Sequence, residues 1–223
     1  MNRLRQIALA SRVLVAAACC TWMSAAPAAQ ATTALDGYLT GLSTWSAEFT
    51  QSGTETSGKR VPEMDGSGRL LIVRPGKFRW EFAPKDDPEA ATLMIADGLN
   101  LWFYDQDLEQ ANVRPLEDAL PQSPAMLLAG GADLREAFEV TADGRRDGLE
   151  WVRARPKNAE SDFREALFGF RGGELARLVA VNKMGQRSTL EFKGVRRNAT
   201  VDPKLVEFVP PEGVDLIGRP VAR

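Results

Sequence analysis

Residues 74–84 read R-P-G-K-F-R-W-E-F-A-P, and residues 97–110 read D-G-L-N-L-W-F-Y-D-Q-D-L-E-Q. In the first segment Phe78, Trp80 and Phe82 alternate with Lys77, Arg79 and Glu81. Successive side chains leave a pleated strand on opposite sides, so a period of two marks a strand with one buried face. In the second segment Asp97-Gly98 separates apolar runs at 92–96 and 99–104, which is the sequence of a hairpin turn. These strands carry heavy aromatic bulk and no catalytic constellation. They suit enclosure of an apolar ligand better than they suit chemistry.

The same period runs outward in both directions. Trp45, Ala47 and Phe49 alternate with Ser46, Glu48 and Thr50. Further short runs at 68–74, 108–114, 137–142, 149–155, 163–170, 175–182, 187–193 and 206–209 are separated by Gly, Asp and Pro. This spacing predicts an antiparallel meander of about 11 strands, which must curl or close to protect its edges. A helix is expected over 33–42, where Thr33 caps and Leu35, Tyr38, Leu39 and Leu42 share one side. A helical excursion is expected within 115–131, divided at Pro121. There Ser123 caps, Pro124 takes the first helical position and Gly130-Gly131 stops the chain. The expected fold is mainly β with α: an unclosed, half-barrel antiparallel sheet with a lid of short α-helices.

The first residues stand apart. Arg3, Arg5 and Arg12 precede an apolar run from Val13 to Ala26, and small residues follow at Ala26-Pro27-Ala28 and Ala29-Gln30-Ala31. This is the pattern of a secretory leader, with cleavage expected after Ala31 or alternatively Ala28. The remainder, residues 32–223, is expected to be one soluble domain of about 190 residues. Both cysteines, Cys19 and Cys20, lie in the leader, so disulfides do not stabilise the exported part. A rival reading makes Cys19 a lipidation site after Ala17-Ala18.

Loss of the leader leaves 25 basic residues against 30 acidic ones, a charge of −5 with no basic block. Nucleic acid is therefore not an expected partner. The chain has no histidine. That excludes a Ser-His-Asp triad, a Cys-His pair and histidine-ligated metal. The acidic turn at Asp105 and Asp107 lacks the glycine and terminal glutamate of a calcium loop. No cofactor and no metal site are expected, and the chain does not read as an enzyme.

In Leu70-Leu71-Ile72-Val73 and Leu101-Trp102-Phe103-Tyr104 both strand faces are apolar, beyond what a sheet covered on one side needs. Arg74 falls on the side of Leu70 and Ile72. A guanidinium there is costly unless its donors find acceptors, and backbone carbonyls at a helix end would serve.

Six segments in order resemble the periplasmic outer-membrane lipoprotein carrier family, LolA. They are W-S-A-E-F-T-Q (45–51), R-P-G-K-F-R-W-E (74–81), D-G-L-N-L-W-F-Y (97–104) with D-L-E-Q (107–110), S-P-A-M-L-L (123–128), P-K-N-A-E-S-D-F (156–163) and P-P-E-G-V-D (210–215). Near the middle helix the chain has Pro121-Gln122-Ser123-Pro124, where the family more often has an Asn-Thr-Pro run. The resemblance implies an apolar cavity under a helical lid, with Arg74 as the lid latch and Phe78 as the aromatic at the cavity mouth. The acyl-chain cavity is expected to be lined by Trp45, Phe49, Leu70, Ile72 and Phe78, together with Trp80, Phe82, Leu101 and Phe103. The lid is expected to contribute Leu35, Leu39, Met126 and Leu127, with Leu128 beside them.

The implied partners are acylated lipoproteins, an inner-membrane lipoprotein-releasing ABC transporter and an outer-membrane acceptor. The implied protein is a monomeric periplasmic carrier without catalytic residues. Two other readings stay open: a membrane-anchored receptor of the same fold, lipidated at Cys19, and a lipid-sensing envelope regulator.

Overall fold

The computed structural model describes residues 32–119, 124–130, 134–159, 161 and 163–222. The leader expected over 1–31, the cap at Ser123 and the division at Pro121 lie outside them.

The first helix, α1 (Ala34–Leu39), is set by its cap. The Thr33 amide and hydroxyl donate to Asp36 Oδ2 at 2.6 and 2.8 Å, and the Asp36 amide donates back to Thr33 Oγ1 at 3.4 Å. This reciprocal pair satisfies donors that a helix start otherwise leaves open. The helix stops short of the expected Leu42, because Gly41 turns the chain at φ +68°.

Twelve strands follow in one sheet. They are β1 (Thr44–Thr54), β2 (Gly66–Val73), β3 (Lys77–Pro84), β4 (Thr92–Asp97), β5 (Asn100–Asp105) and β6 (Gln110–Pro115), then β7 (Phe138–Arg146), β8 (Leu149–Pro156), β9 (Phe163–Arg171), β10 (Glu174–Asn182), β11 (Arg187–Arg197) and β12 (Asp215–Ile217). Between β6 and β7 lie α2 (Leu116–Ala119), α3 (Pro124–Ala129) and α4 (Leu134–Ala137). The order is β12-β6-β5-β4-β3-β2-β1-β11-β10-β9-β8-β7. Every pairing is antiparallel except β12 with β6. The edges β12 and β7 form no ladder with each other among the described residues, so the sheet is unclosed. It is nevertheless strongly curled. Leu101 on β5 and Phe138 on β7, near opposite edges, join one buried apolar cluster.

The strand expected at 206–209 is not there. A 3-10 turn at Pro203–Val206 leads into irregular chain, and the last strand is β12. Pro210 and Pro211 carry no amide hydrogen for a ladder. Phe208 instead lies on the outer face, its ring 5.3 Å from Trp102 and 5.6 Å from Tyr104. With Ile95, Val113 and Leu93, Trp102 and Phe208 form a separate cluster. The two-sided apolar character of 101–104 is thus covered by the chain's own C-terminal segment and marks no second compartment.

The turn between β4 and β5 is built on Asp97. Its carboxylate accepts from the Leu99 amide (2.9 Å), the Asn100 amide (2.8 Å) and the Trp102 indole (2.9 Å). Burial alone would raise its pKa, but the Trp102 and backbone donors outweigh it and hold the carboxyl below the ordinary aspartate range. Asp97→Ala leaves a buried indole N–H unpaired, at about 2 kcal/mol. Because the folded-state pKa is lowered, this contribution is complete above the ordinary aspartate range and is lost as pH falls through the folded value. Urea midpoints should therefore separate wild type from Asp97→Ala clearly at neutral pH and much less in strong acid.

Candidate functional site: a covered concave face

Period-two alternation and strand pairing place one set of side chains on the concave face. From β1 these are Trp45, Ala47 and Phe49, from β2 Leu70 and Ile72, and from β3 Phe78, Trp80 and Phe82. Opposite them in register come Met94 and Ala96 on β4, and Leu101 and Phe103 on β5. Trp45, Phe49, Leu70, Ile72, Phe78 and Leu101 are buried in the main core, with Trp80, Phe82 and Met94 half-buried against it. Phe49 and Trp80 meet ring to ring at 4.6 Å. Phe78 is fully enclosed at 0% exposure rather than standing at an open rim, and Phe103 lies at the other extreme with 38% exposed.

The cover is the helices. The expected lid residues Leu35, Met126 and Leu127 are buried in the same cluster, as are Leu128 and Ala129, with Leu39 half-buried beside them. α3 lies over β2 and β3, while α1 lies over β8. The concavity is filled by side chains of these helices.

Arg74 follows β2 directly and is half-buried. Its Nη1 donates to the Leu39 carbonyl at the end of α1 over 3.2 Å. Desolvation lowers the guanidinium pKa from its ordinary value. The same guanidinium packs on Gly130 just past α3, where an added Cβ would come within 2.7 Å of Nη2. The Gly76 amide donates to the Ala129 carbonyl at 3.1 Å. One cation therefore touches the ends of both lid helices. Gly130 is left-handed at φ +65°, so Gly130→Ala both strains the backbone and pushes Arg74 aside. The expected loss is about 1–2 kcal/mol, with several-fold more binding of an environment-sensitive apolar dye. An unchanged dye titration would show that Gly130 does not hold the lid.

α1 and α3 are secured differently. Tyr38 on α1 donates its hydroxyl to Glu174 and accepts from the Trp45 indole at 2.7 Å. Burial, then the Glu174 hydrogen bond, raise the Tyr38 pKa. Arg197 donates to the Tyr38 carbonyl at 2.9 Å and lies 4.3 Å above its ring. Arg135 pairs with Asp36 at 2.6 Å. Polar contacts thus pin α1 to β10, β11 and α4. Among the described residues, α3 is tied to the sheet by the Gly76 bond and the Arg74 contact.

Half of the concave face was not singled out from sequence. Val152, Phe168, Phe170, Leu178, Leu190 and Phe192, from β8 to β11, belong to the same core. Leu190 and Phe192 carried a visible alternation. β9 did not, because Leu167 packs in an outer-face cluster with Leu149, Trp151, Val179 and Val181. Among the described residues no group of three or more Cys, Asp and Glu could hold a metal ion.

A family model described as "Outer membrane lipoprotein carrier protein LolA" matches residues 40–209. Curated relatives described as "Outer-membrane lipoprotein carrier protein" include one from Chromobacterium violaceum, 37% identical over 92% of this chain and 96% of its own. Another, from Bordetella pertussis, is 35% identical over 97% and 99%. A solved LolA superfamily protein from Nitrosomonas europaea aligns at a TM-score of 0.45 and 12% identity, over 80% of this chain and 99% of its own. With a family model spanning most of its length and relatives this close over nearly all of it, the chain belongs to the LolA family of outer-membrane lipoprotein carrier proteins.

Proposed function

We propose that this protein shelters the acyl chains of lipid-modified proteins in its concave face and carries them through the periplasm to the outer membrane. The observation that carries this reading is a continuous apolar face under short helices, one of which is held, among the described residues, by the Gly76 hydrogen bond and the Arg74 contact. Family membership and the leader pattern support it. In this reading cargo arrives from an inner-membrane ABC transporter and leaves to an outer-membrane acceptor.

The energetics fit a shuttle. Burial yields about 0.8 kcal/mol per methylene, so a chain of about 16 carbons gains on the order of 10 kcal/mol. A carrier with that full gain would not let go. Here an acyl chain must displace Met126, Leu127 and Leu128 and break the Arg74 contacts, which offsets part of the gain. Affinity then stays low enough for delivery to a stronger acceptor. No covalent step is needed, in keeping with a carrier rather than an enzyme. The test is to incubate purified protein, residues 32–223, with spheroplasts. A soluble complex of lipoprotein with this chain is expected, and lipoproteins that stay wholly membrane-bound would overturn the proposal.

A further inference from the structure

The two margins of the sheet are protected differently. At β7 a bulge between Ala142 and Arg145, with the charges of Glu139, Asp143, Arg145 and Arg146, makes a poor template for another strand. β6 has no bulge, and its ladder with β5 runs unbroken from Gln110 to Pro115. Its outer edge is covered by β12 only from Gln110 to Asn112. That pairing is parallel, the less stable kind, in a sheet that is otherwise antiparallel. Asp215, Leu216 and Ile217 are all exposed, so side-chain burial adds little to it. Beyond β12 the tail is clipped by the buried Asn100. Its side-chain amide donates to the Val221 carbonyl at 3.1 Å, and its oxygen accepts from the Val221 amide at 2.7 Å. This clip reads main chain alone.

The charges of the tail are mismatched to the edge. The turn before β6 carries Asp105, Asp107 and Glu109, and Arg114 stands near the other end of the strand. Asp215 lies opposite Gln110 with its amide on the Glu109 carbonyl, at the acidic end. Arg219 follows Gly218, which packs on Val113, and precedes Val221 on Asn100, so it falls at the Arg114 end. The side chains of Asp107, Glu109, Arg114, Asp215 and Arg219 enter no hydrogen bond or ion pair among the described residues. A strand with the same charge order running antiparallel to β6 would put acid on base at both ends.

We propose that the β6 edge is the docking site for an extended strand of a protein partner, entering antiparallel, and that residues 215–222 hold the place until it arrives. The partner strand carries an acidic residue opposite Arg114 and a basic one past Gln110, against Asp107 and Glu109. Between them, apolar residues lie opposite Val113 and Ala111, which are buried on the outer side of the sheet. The six residues of β6 then pair in place of three. Main-chain bonds supply the affinity, and the charge order supplies the direction.

The probe is the fluorescein-labelled peptide S-E-V-T-V-T-K-R, titrated into residues 32–223 and followed by anisotropy. It should bind and open the Asp215 amide to hydrogen exchange. The peptide K-R-V-T-V-T-E-S, of the same composition with the charged ends exchanged, should bind about tenfold more weakly. Gly218 has φ +98°, and an added Cβ would fall on the Val113 carbonyl, so Gly218→Val unseats the tail and should bind the probe several-fold more tightly. Arg114→Glu and Asp107→Lys, both at exposed positions, should each weaken the probe about tenfold at an unchanged melting temperature. Failure of the probe to bind wild type and Gly218→Val, or equal binding of the two peptides, would overturn the proposal. So would probe binding that leaves the Asp215 amide protected. Concentration-dependent self-association of Gly218→Val without probe binding would make the occupant a second copy of the chain and overturn the partner assignment. Lipoprotein release from spheroplasts, which tests the carrier reading, is independent of each of these outcomes.

Discussion

An Arg74→Leu protein should still load lipoprotein but deliver it to acceptor membranes about 10- to 150-fold more slowly. The guanidinium is half-buried and donates to the Leu39 carbonyl while packing on Gly130. Leucine fills much of the space but offers no donor. The closed state then loses a charged hydrogen bond, worth about 1.5–3 kcal/mol. Cargo binds only the open state in this scheme, so whatever the closed state loses, apparent affinity gains. Every 1.4 kcal/mol is about tenfold, which sets the expected range. The check is transfer of cargo from isolated carrier complex to acceptor-bearing membranes. Delivery at the wild-type rate would show that Arg74 is not the latch.

The second large effect is on stability. Gly68 faces Phe49 on β1 and Phe82 on β3. A Cβ there would fall on the Glu81 carbonyl and within 2.6 Å of Phe49 Cζ. The missing side chain is what lets the Phe49 ring lie across the strand against Trp80. Gly68→Val forces that ring away and spreads the β2–β3 ladder. Overpacking of this kind costs about 3 kcal/mol. For a domain of this size the melting temperature should drop by roughly 6–12 °C, read by circular dichroism. A drop of under about 2 °C would contradict this packing.

The sheet was legible because its strands carry period-two alternation bounded by Gly, Asp and Pro, as Phe78, Trp80 and Phe82 do. Alternation fails where both faces are covered. In β9, Phe168 packs inward while Leu167 joins the outer cluster, so no period separates them. At 101–104 the outer face is covered by Phe208, more than a hundred residues away, and no local pattern announces that. The strand expected at 68–74 begins two residues earlier, and Gly66 and Gly68 both sit in β2, where Phe82 and Phe49 occupy the space their side chains would fill. Arg74 was identifiable from its position after an apolar strand. Its acceptor, 35 residues back on Leu39, was not. The pinning of α1 through Tyr38, Glu174 and Arg197 joins residues distant in sequence and leaves no motif.

The most direct measurement is hydrogen exchange at two amides of the same turn, with and without a triacylated lipopeptide. The Gly76 amide is bonded to Ala129 of α3, whereas the Arg74 amide is bonded to Ser43 of the sheet margin. If acyl chains replace α3 on the concave face, ligand should strip protection from Gly76 and leave Arg74 protected. Equal protection at both amides with saturating ligand bound would mean that the helix stays in place and the chains are held elsewhere.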